Sequence, residues 1–531
     1  MRFVLFGIMS IAMALGACSQ SVSSTEDDDP ASLNGPKKNK VSSSSRINEK
    51  SSSSRSTDKS DEEDCSGESG EPWDGTTAKD FACGTGTKLS PYIILTAEQL
   101  ARLSFLVNAS EKAYSGKYFK LGADILLNKG KVIDSKGALV ADSTKLHKWT
   151  PIGNSSVSFD GNFDGDGHIV SGMFINTTST HNGLFGNSQG TVQNLTVDNS
   201  WVYGGKYTAG VVGLSVGSVL NALNRSSISG KEECIGGIIG SSYTKNYSAN
   251  SVIKNAVNEG VIVGDKNVGG VAGCVAYVTV DGAENIAPIE GYGYVGGVFG
   301  GIGRSSKNDV KNLKNSGKII GKHFVGGVAG YCGAISLDIN SSRESSSYYC
   351  SNSSSWPCGK LKQAANYASV SGKYYVGGVL GVACGGSIDL LSNVADVDGV
   401  YGTAGVVGSA AYVKSSNVYN RGNVSGGDYV GGIFSYNKEG VINSAYSTGK
   451  VDGDSLVGLM IGYNYNTTMA DYYYLERGKQ EPFGLNNGGG VATPKTEDEM
   501  KSKDFAKLLG DEFVYDSGLN DGYPVLSWEK E

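Results

Sequence analysis

Three carboxylates and an imidazole crowd the stretch Phe159-Asp-Gly-Asn-Phe-Asp-Gly-Asp-Gly-His168, where Asp160, Asp164, Asp166 and His168 fall within nine residues. Two carboxylates held about 5 to 9 Å apart can cleave a glycosidic bond, one as acid and one as nucleophile or base. Alternating Asp-x-Asp oxygens can also hold calcium. The architectural alternative is that Asp-Gly pairs form turns, since Asp bonds its own backbone and Gly accepts positive φ.

Other reactive patterns are missing. The chain has four histidines, His147, His168, His181 and His323, and no HExxH. It has no GxSxG, no CxxC and no glycine loop closed by Gly-Lys-Ser/Thr. Zinc hydrolysis, serine hydrolysis and phosphate-loop chemistry therefore lack their residues. The expectation is of no cofactor and no metal, with calcium as the competing possibility. Lysine and arginine number 46 against 53 acids, a net charge of −7 with no basic face, which argues against nucleic acid.

A binding surface is the other candidate. Tyr294, Phe324, Tyr375 and Tyr429 each stand immediately before the first Val of a recurring Val-Gly-Gly-(Val/Ile) core, with Tyr292, His323 and Tyr374 close by. If the Val points inward, strand alternation points its predecessor outward. Copies stacked on one another would then line up an aromatic strip, and flat aromatic strips stack on sugar rings.

What must position these residues is the repeat itself. Aligned on that core, copies fall at Asn182, Ala209, Ile235, Val268, Val295, Val325, Val376, Ala404, Val430 and Val457, mostly 26 to 30 residues apart. A Gly precedes most cores by four or five residues. An Asn precedes them by ten or eleven: Asn199, Asn224, Asn258, Asn285, Asn315, Asn366, Asn393 and Asn420. Short Val- and Ile-rich runs between Gly and Asn turns read as strands, and a fixed period of this length reads as a solenoid. The prediction is an all-β, right-handed parallel β-solenoid with coils of about 26–30 residues. Its asparagines should stack into a ladder and its valines into a core.

This pattern resembles the GLUG repeat of bacterial surface proteins, whose Gly-Leu-x-Gly core Asn182-Gly-Leu-Phe-Gly186 matches literally. The resemblance extends over roughly 72–531. It implies a helical entry segment at Pro91-Tyr-Ile-Ile-Leu-Thr-Ala-Glu-Gln-Leu-Ala, with Thr96 and Gln99 as a capping box. It also implies first coils at Trp149-Thr-Pro-Ile-Gly and around Asp160–His168, and a closing helix and tail from Lys495 to Trp528. It makes the Asp-Gly stretch a regular part of the fold. GLUG repeats also occur in IgA-specific metallopeptidases, but their chemistry sits in a separate domain. The function implied is contact with other cells or polymers at the cell surface.

The first residues, MRFVLFGIMSIAMALGAC, have signal-peptide anatomy, and Leu15-Gly-Ala-Cys18 resembles the lipobox of bacterial lipoproteins. Lipidation of Cys18 would anchor the chain without a spanning helix. Ser19 after that Cys implies the outer membrane, and Glu26-Asp-Asp-Asp29 resembles the export tags of surface-exposed lipoproteins. The expected organisation is a signal peptide (1–18), a disordered Ser-rich tether (19–70), an N-terminal cap with first coils (71–180), repeats (181–475) and a C-terminal cap (476–531).

Eight cysteines remain after Cys18, which suits disulfides outside the cytoplasm. The spacing suggests Cys65–Cys83. An insert at about 333–362 should be pinned by Cys332–Cys384 on adjacent coils, with Cys350–Cys358 inside it and other pairings of the four as the alternative. Cys234–Cys274 is the last pair. The expected role is a lipid-anchored surface protein that binds an extracellular polysaccharide or protein. Alternatives are a polysaccharide lyase or glycoside hydrolase using Asp160, Asp164 or Asp166, and a structural envelope spacer.

Overall fold

A computed structural model describes residues 65, 71–110, 114–243, 251–333, 350 and 357–530. The signal segment, Cys18, nearly all of the tether and most of the 333–362 insert lie outside these residues. No helix among the described residues is long and apolar enough to cross a membrane.

The chain winds into a parallel β-solenoid of about thirteen coils, each about 27 residues long. In a typical coil, strand Lys360–Asn366 leads to the short strand Val370–Ser371 and then to Tyr374–Gly377. These belong to a 30-stranded sheet that wraps the rod. After the Gly377-Gly378 corner, strand Leu380–Cys384 joins a separate 11-stranded sheet. Each strand pairs in parallel with its copies above and below, as Val376 does with Val325 and Thr403.

The core is a stack of equivalents. Val268, Val295, Val325 and Val376 are all fully buried, each removing from water a side chain worth about 2 kcal/mol. The asparagine ladder runs unbroken from Asn224 to Asn420. Each Nδ2 donates to the next Oδ1 at 2.7–2.8 Å, through Asn258, Asn285, Asn315, Asn366 and Asn393. The same Nδ2 also donates to a carbonyl two residues on, as Asn315 does to Gly317 O. Asn199 is not part of it: the register places Val197 beside Asn224. Asn199 instead caps Val132 N at 2.9 Å.

The corner glycines exist because of this ladder. A Cβ on Gly378 would lie 2.0 Å from Gly405 O and 2.4 Å from Asn393 Cγ. Close approach, with no positive φ, excludes a side chain there. The register also shifts two copies by one residue. Thr208 pairs with Ile235, and Thr403 with Val376, so the inward position is Thr208 rather than Ala209, and Thr403 rather than Ala404.

At the N-terminal end, helix Ala97–Asn108 carries the expected capping box, with Gln99 N donating to Thr96 Oγ1 at 3.4 Å and Thr96 N to Gln99 Oε1 at 3.3 Å. Its Leu100, Leu103 and Val107 continue the core. The C-terminal segment instead lies along a flank. Met500, Phe505, Phe513, Leu526 and Trp528 pack on Ala365, Leu390, Tyr419, Tyr446 and Tyr473. The register stacks Ala365, Tyr419, Tyr446 and Tyr473 in one outward column. The last coil ends on strand Thr493–Lys495, where Pro494 blunts the edge.

Candidate binding surface

The acidic stretch is built as turns. Asp164 accepts from Gln193 Nε2 at 2.8 Å, Asn194 Nδ2 at 2.9 Å and Asp166 N at 2.9 Å. Burial pushes its carboxyl up, but these donors outweigh it and hold the group below its ordinary value. Asp166 pairs with Lys120 at 2.9 Å, and His168 Nδ1 lies 3.1 Å from Asp124. Asp160 takes a bond from Ser115 Oγ. Asp164 lines a groove of about 620 Å³ with Tyr118 and Lys120. Asp160 lines a different cleft, with Tyr114 and Phe159. Carboxylates that face different clefts, each bonded by neighbours, do not form an acid–base pair. Among the described residues, no three of His, Cys, Asp and Glu converge as a metal site.

The aromatic residues before the core Val behave differently from the outward-facing strip expected. Tyr294, Phe324, Tyr375 and Tyr429 all have left-handed backbone, with φ between 54° and 58°. For a residue with a Cβ this costs roughly 1 kcal/mol or more. The strand ladder skips them: His323, Val325 and Gly326 pair with Gly293, Val295 and Gly296. The extra residue breaks the alternation. The rings of Tyr294, Phe324 and Tyr375 cluster with Tyr331, Val382 and Cys384 of the 11-stranded sheet, outside the central core. Phe324 and Tyr375 are thus buried, at 2% and 1% exposure, while Tyr294 and Tyr429 are half-buried.

Burial of those two rings makes them the floor of a longer strip. Tyr294 stacks on Phe324 at 5.1 Å and Phe324 on Tyr375 at 5.6 Å, within 12° of parallel. The run continues through Tyr401 (5.6 Å), Tyr429 (5.1 Å) and Tyr463 (6.2 Å). A second row, Tyr292, His323 and Tyr374, has centroids 5.3 and 4.9 Å apart. Lys322 Nζ sits 4.8 Å from the Tyr292 ring and Lys373 Nζ 5.0 Å from that of Tyr374. Tyr401 was hidden in the sequence by placing the core at Ala404. With Thr403 as the core, it aligns with Tyr374 and His323.

One of the four disulfides borders this surface. Cys65 joins Cys83 and Cys234 joins Cys274. At the insert the pairing is Cys332–Cys358 and Cys350–Cys384, in place of Cys332–Cys384 and Cys350–Cys358. The reason is strand parity. Cys332 is in register with Ala383, so Cys384 is one residue further on and faces the opposite side of the sheet. Cys332 and Cys358 lie in the central core. Cys384 and Cys350 lie with the aromatic cluster outside it.

Fold and flank together define a parallel β-solenoid with an aromatic strip along one corner. No family model matches the chain. It is 31% identical over 173 residues to halomucin of Haloquadratum walsbyi, which covers 32% of this chain and 2% of halomucin. It is 34% identical over 125 residues to a protein of Evansella cellulosilytica named "Putative Gly-rich membrane protein", covering 23% of this chain and 12% of that one. The chain therefore spans 12% or less of the length of these relatives. A solved structure, of a "putative immunoglobulin A1 protease" from Bacteroides ovatus, aligns over 85% of this chain and 98% of that one, at 16% identity and a TM-score of 0.25.

Proposed function

We propose that this is a cell-surface β-solenoid of the GLUG-repeat type, lipidated at Cys18 in the outer membrane, that binds an extracellular polysaccharide along its aromatic strip. The observation that carries the reading is the run of rings from Tyr294 to Tyr463, in contact from one coil to the next. Stacked strands rise by about 4.8 Å per coil, close to the advance of an extended sugar chain per residue. A glycan laid parallel to the axis would meet the partly exposed rings of Tyr292, Tyr294, Tyr374, Tyr401 and Tyr429, with the buried Phe324 and Tyr375 behind them. The names of the two relatives, a halomucin and a membrane protein, agree with a surface location. The hydrolase alternative is disfavoured by the separation of Asp160 from Asp164.

The test uses the full chain on a glycan array and on insoluble polysaccharides. Tyr374→Ala, Tyr401→Ala and Tyr429→Ala together should lower affinity at least about tenfold, each lost stacking contact contributing about 0.5–1.5 kcal/mol. Unchanged retention by a correctly folded triple variant would refute the strip. In cells, labelled palmitate should enter the native protein and not the Cys18→Ser variant.

A further inference from the structure

The two ends of the rod are finished differently. At the N-terminal end, Ile152 and Phe159 bridge to Phe185 and Ser188 of the first strand in the 11-stranded sheet. Helix Ala97–Asn108 caps the bridging segment, with Ser104 Oγ donating to Thr150 O at 2.8 Å and Asn108 Nδ2 to Pro151 O at 2.9 Å. At the C-terminal end, the 30-stranded sheet is guarded too. Pro494 sits in its last strand, Gln480 Nε2 donates to Val451 O at 2.7 Å and Arg477 Nη2 to Thr448 O at 2.6 Å. The last strand of the 11-stranded sheet, Phe483–Asn486, lacks such cover. It pairs with Ile461–Tyr465 on one side, and among the described residues no strand pairs with its other side. Leu485 is 39% exposed, and Asn486 is exposed where its equivalent one coil back, Asn464, is fully buried. From Pro482 to Pro494 the chain carries no charge. Edge strands are ordinarily protected by charge, by an internal proline or by a bulge. Phe483–Asn486 has none of the three.

We propose that Phe483–Asn486 pairs, antiparallel, with the same strand of a second copy of this chain, joining two rods through their C-terminal ends. A two-fold axis at the edge sets the strand against itself. The strand suits that arrangement because it brings no charge to repel its copy, and it places one Leu485 side chain near the other. The chain offers no better occupant of its own. The residues before 71 are Ser-rich and charged, with SSSSR twice and SDEED, and would set polar side chains beside Leu485. Head-to-tail stacking is blocked, since the matching edge at the N-terminal end is already bridged. Sheets about 10 Å apart, with strands rising about 3.3 Å per residue, give a rod end of a few hundred Å². That is below the roughly 800 Å² per partner of a standard interface, so one contact is weak. Many copies on one surface would add avidity. Because the chain enters each rod at the capped end, a pair joined at its open ends has its N-terminal segments at opposite extremes. That geometry fits copies held on two facing surfaces, and it does not depend on the aromatic strip.

Sedimentation of the full-length chain in detergent, over a range of concentrations, should show a monomer passing to a dimer and to nothing larger. Leu485→Lys sets like charges against each other at the pairing and should weaken the dimer at least about tenfold, as should Leu485→Glu. Both variants should melt as the native protein does. Mixing the two should restore the dimer, which a folding defect could not do. Vesicles coated with the native protein should aggregate, those coated with one variant should stay dispersed, and the two variant populations together should aggregate again. Tyr374→Ala with Tyr401→Ala and Tyr429→Ala should leave the dimer unchanged, which separates this contact from the glycan-binding strip. A native protein that stays monomeric up to about 1 mM would overturn the proposal, since that corresponds to about 4 kcal/mol or less of association. So would growth beyond a dimer, a dimer that neither Leu485 variant weakens, or one that is lost with the strip variant.

Discussion

His323 shows what one side chain can hold in this structure. It is buried between Tyr292 and Tyr374, and the charged groups facing it are Lys322 and Lys373. Its folded-state value of about 4 lies below the ordinary 6.5. Between those values the unfolded chain binds more protons than the folded one, so this residue's contribution to stability is lost as pH falls from 6.5 toward 4. His323→Phe keeps the stack and removes the titration. The stability of the variant relative to the native protein should therefore rise as pH falls through that window, as read by chemical denaturation at several pH values. A constant difference would show that His323 does not titrate as its surroundings dictate. The left-handed residues carry a related lesson. Strand alternation predicted that all four rings point outward, but a φ near 55° at each reverses the local parity and buries Phe324 and Tyr375.

At the scale of the element, the asparagine ladder and the glycine corner are one device. Asn315 Nδ2 bonds both Asn366 Oδ1 and Gly317 O, and its Oδ1 accepts from Asn285 Nδ2 and Gly317 N. Asn315→Ala would leave buried donors and acceptors unpaired on both neighbouring coils. The expected loss is about 3 kcal/mol, since each orphaned buried group costs roughly 1–3 kcal/mol. Urea denaturation would measure it, and a loss below about 0.5 kcal/mol would mean the ladder is not a stabilising element. The ladder was legible because Asn recurs at a fixed offset from each core. Asn199 shares the offset only if its core is set at Ala209; the core is Thr208, and the further one-residue shift before Ser227 leaves Val197, two residues earlier, beside Asn224.

At the scale of the whole molecule, the C-terminal segment ties coils together along the rod. Glu529 accepts from Ser392 Oγ, Tyr419 Oη and Leu526 N, and Arg421 pairs with Asp521 at 2.6 Å. Burial raises the Glu529 carboxyl above its ordinary value, against the pull of these donors. The folded state then holds more protons than the unfolded one in the window above the ordinary glutamate value, so stability falls as pH rises through it. Glu529→Gln keeps acceptor capacity without charge. Its melting temperature should fall less than that of the native protein between mildly acidic and neutral pH. An identical pH profile would show that the charge on Glu529 does not strain this contact.

The sequence by itself determined the solenoid, its period, its core valines, the ladder from Asn224 to Asn420 and the capping box at Thr96. Each of these repeats or follows from neighbours a few residues apart, so local pattern carries it. Only the tertiary structure decided the face on which a residue lies. That depends on register between coils and on single left-handed residues, and a slip of one residue changes sides. It moved the core from Ala404 to Thr403 and exchanged the partners of Cys332 and Cys384. It made Phe324 and Tyr375 the floor of the aromatic strip, and it sent Asp160 and Asp164 to separate clefts.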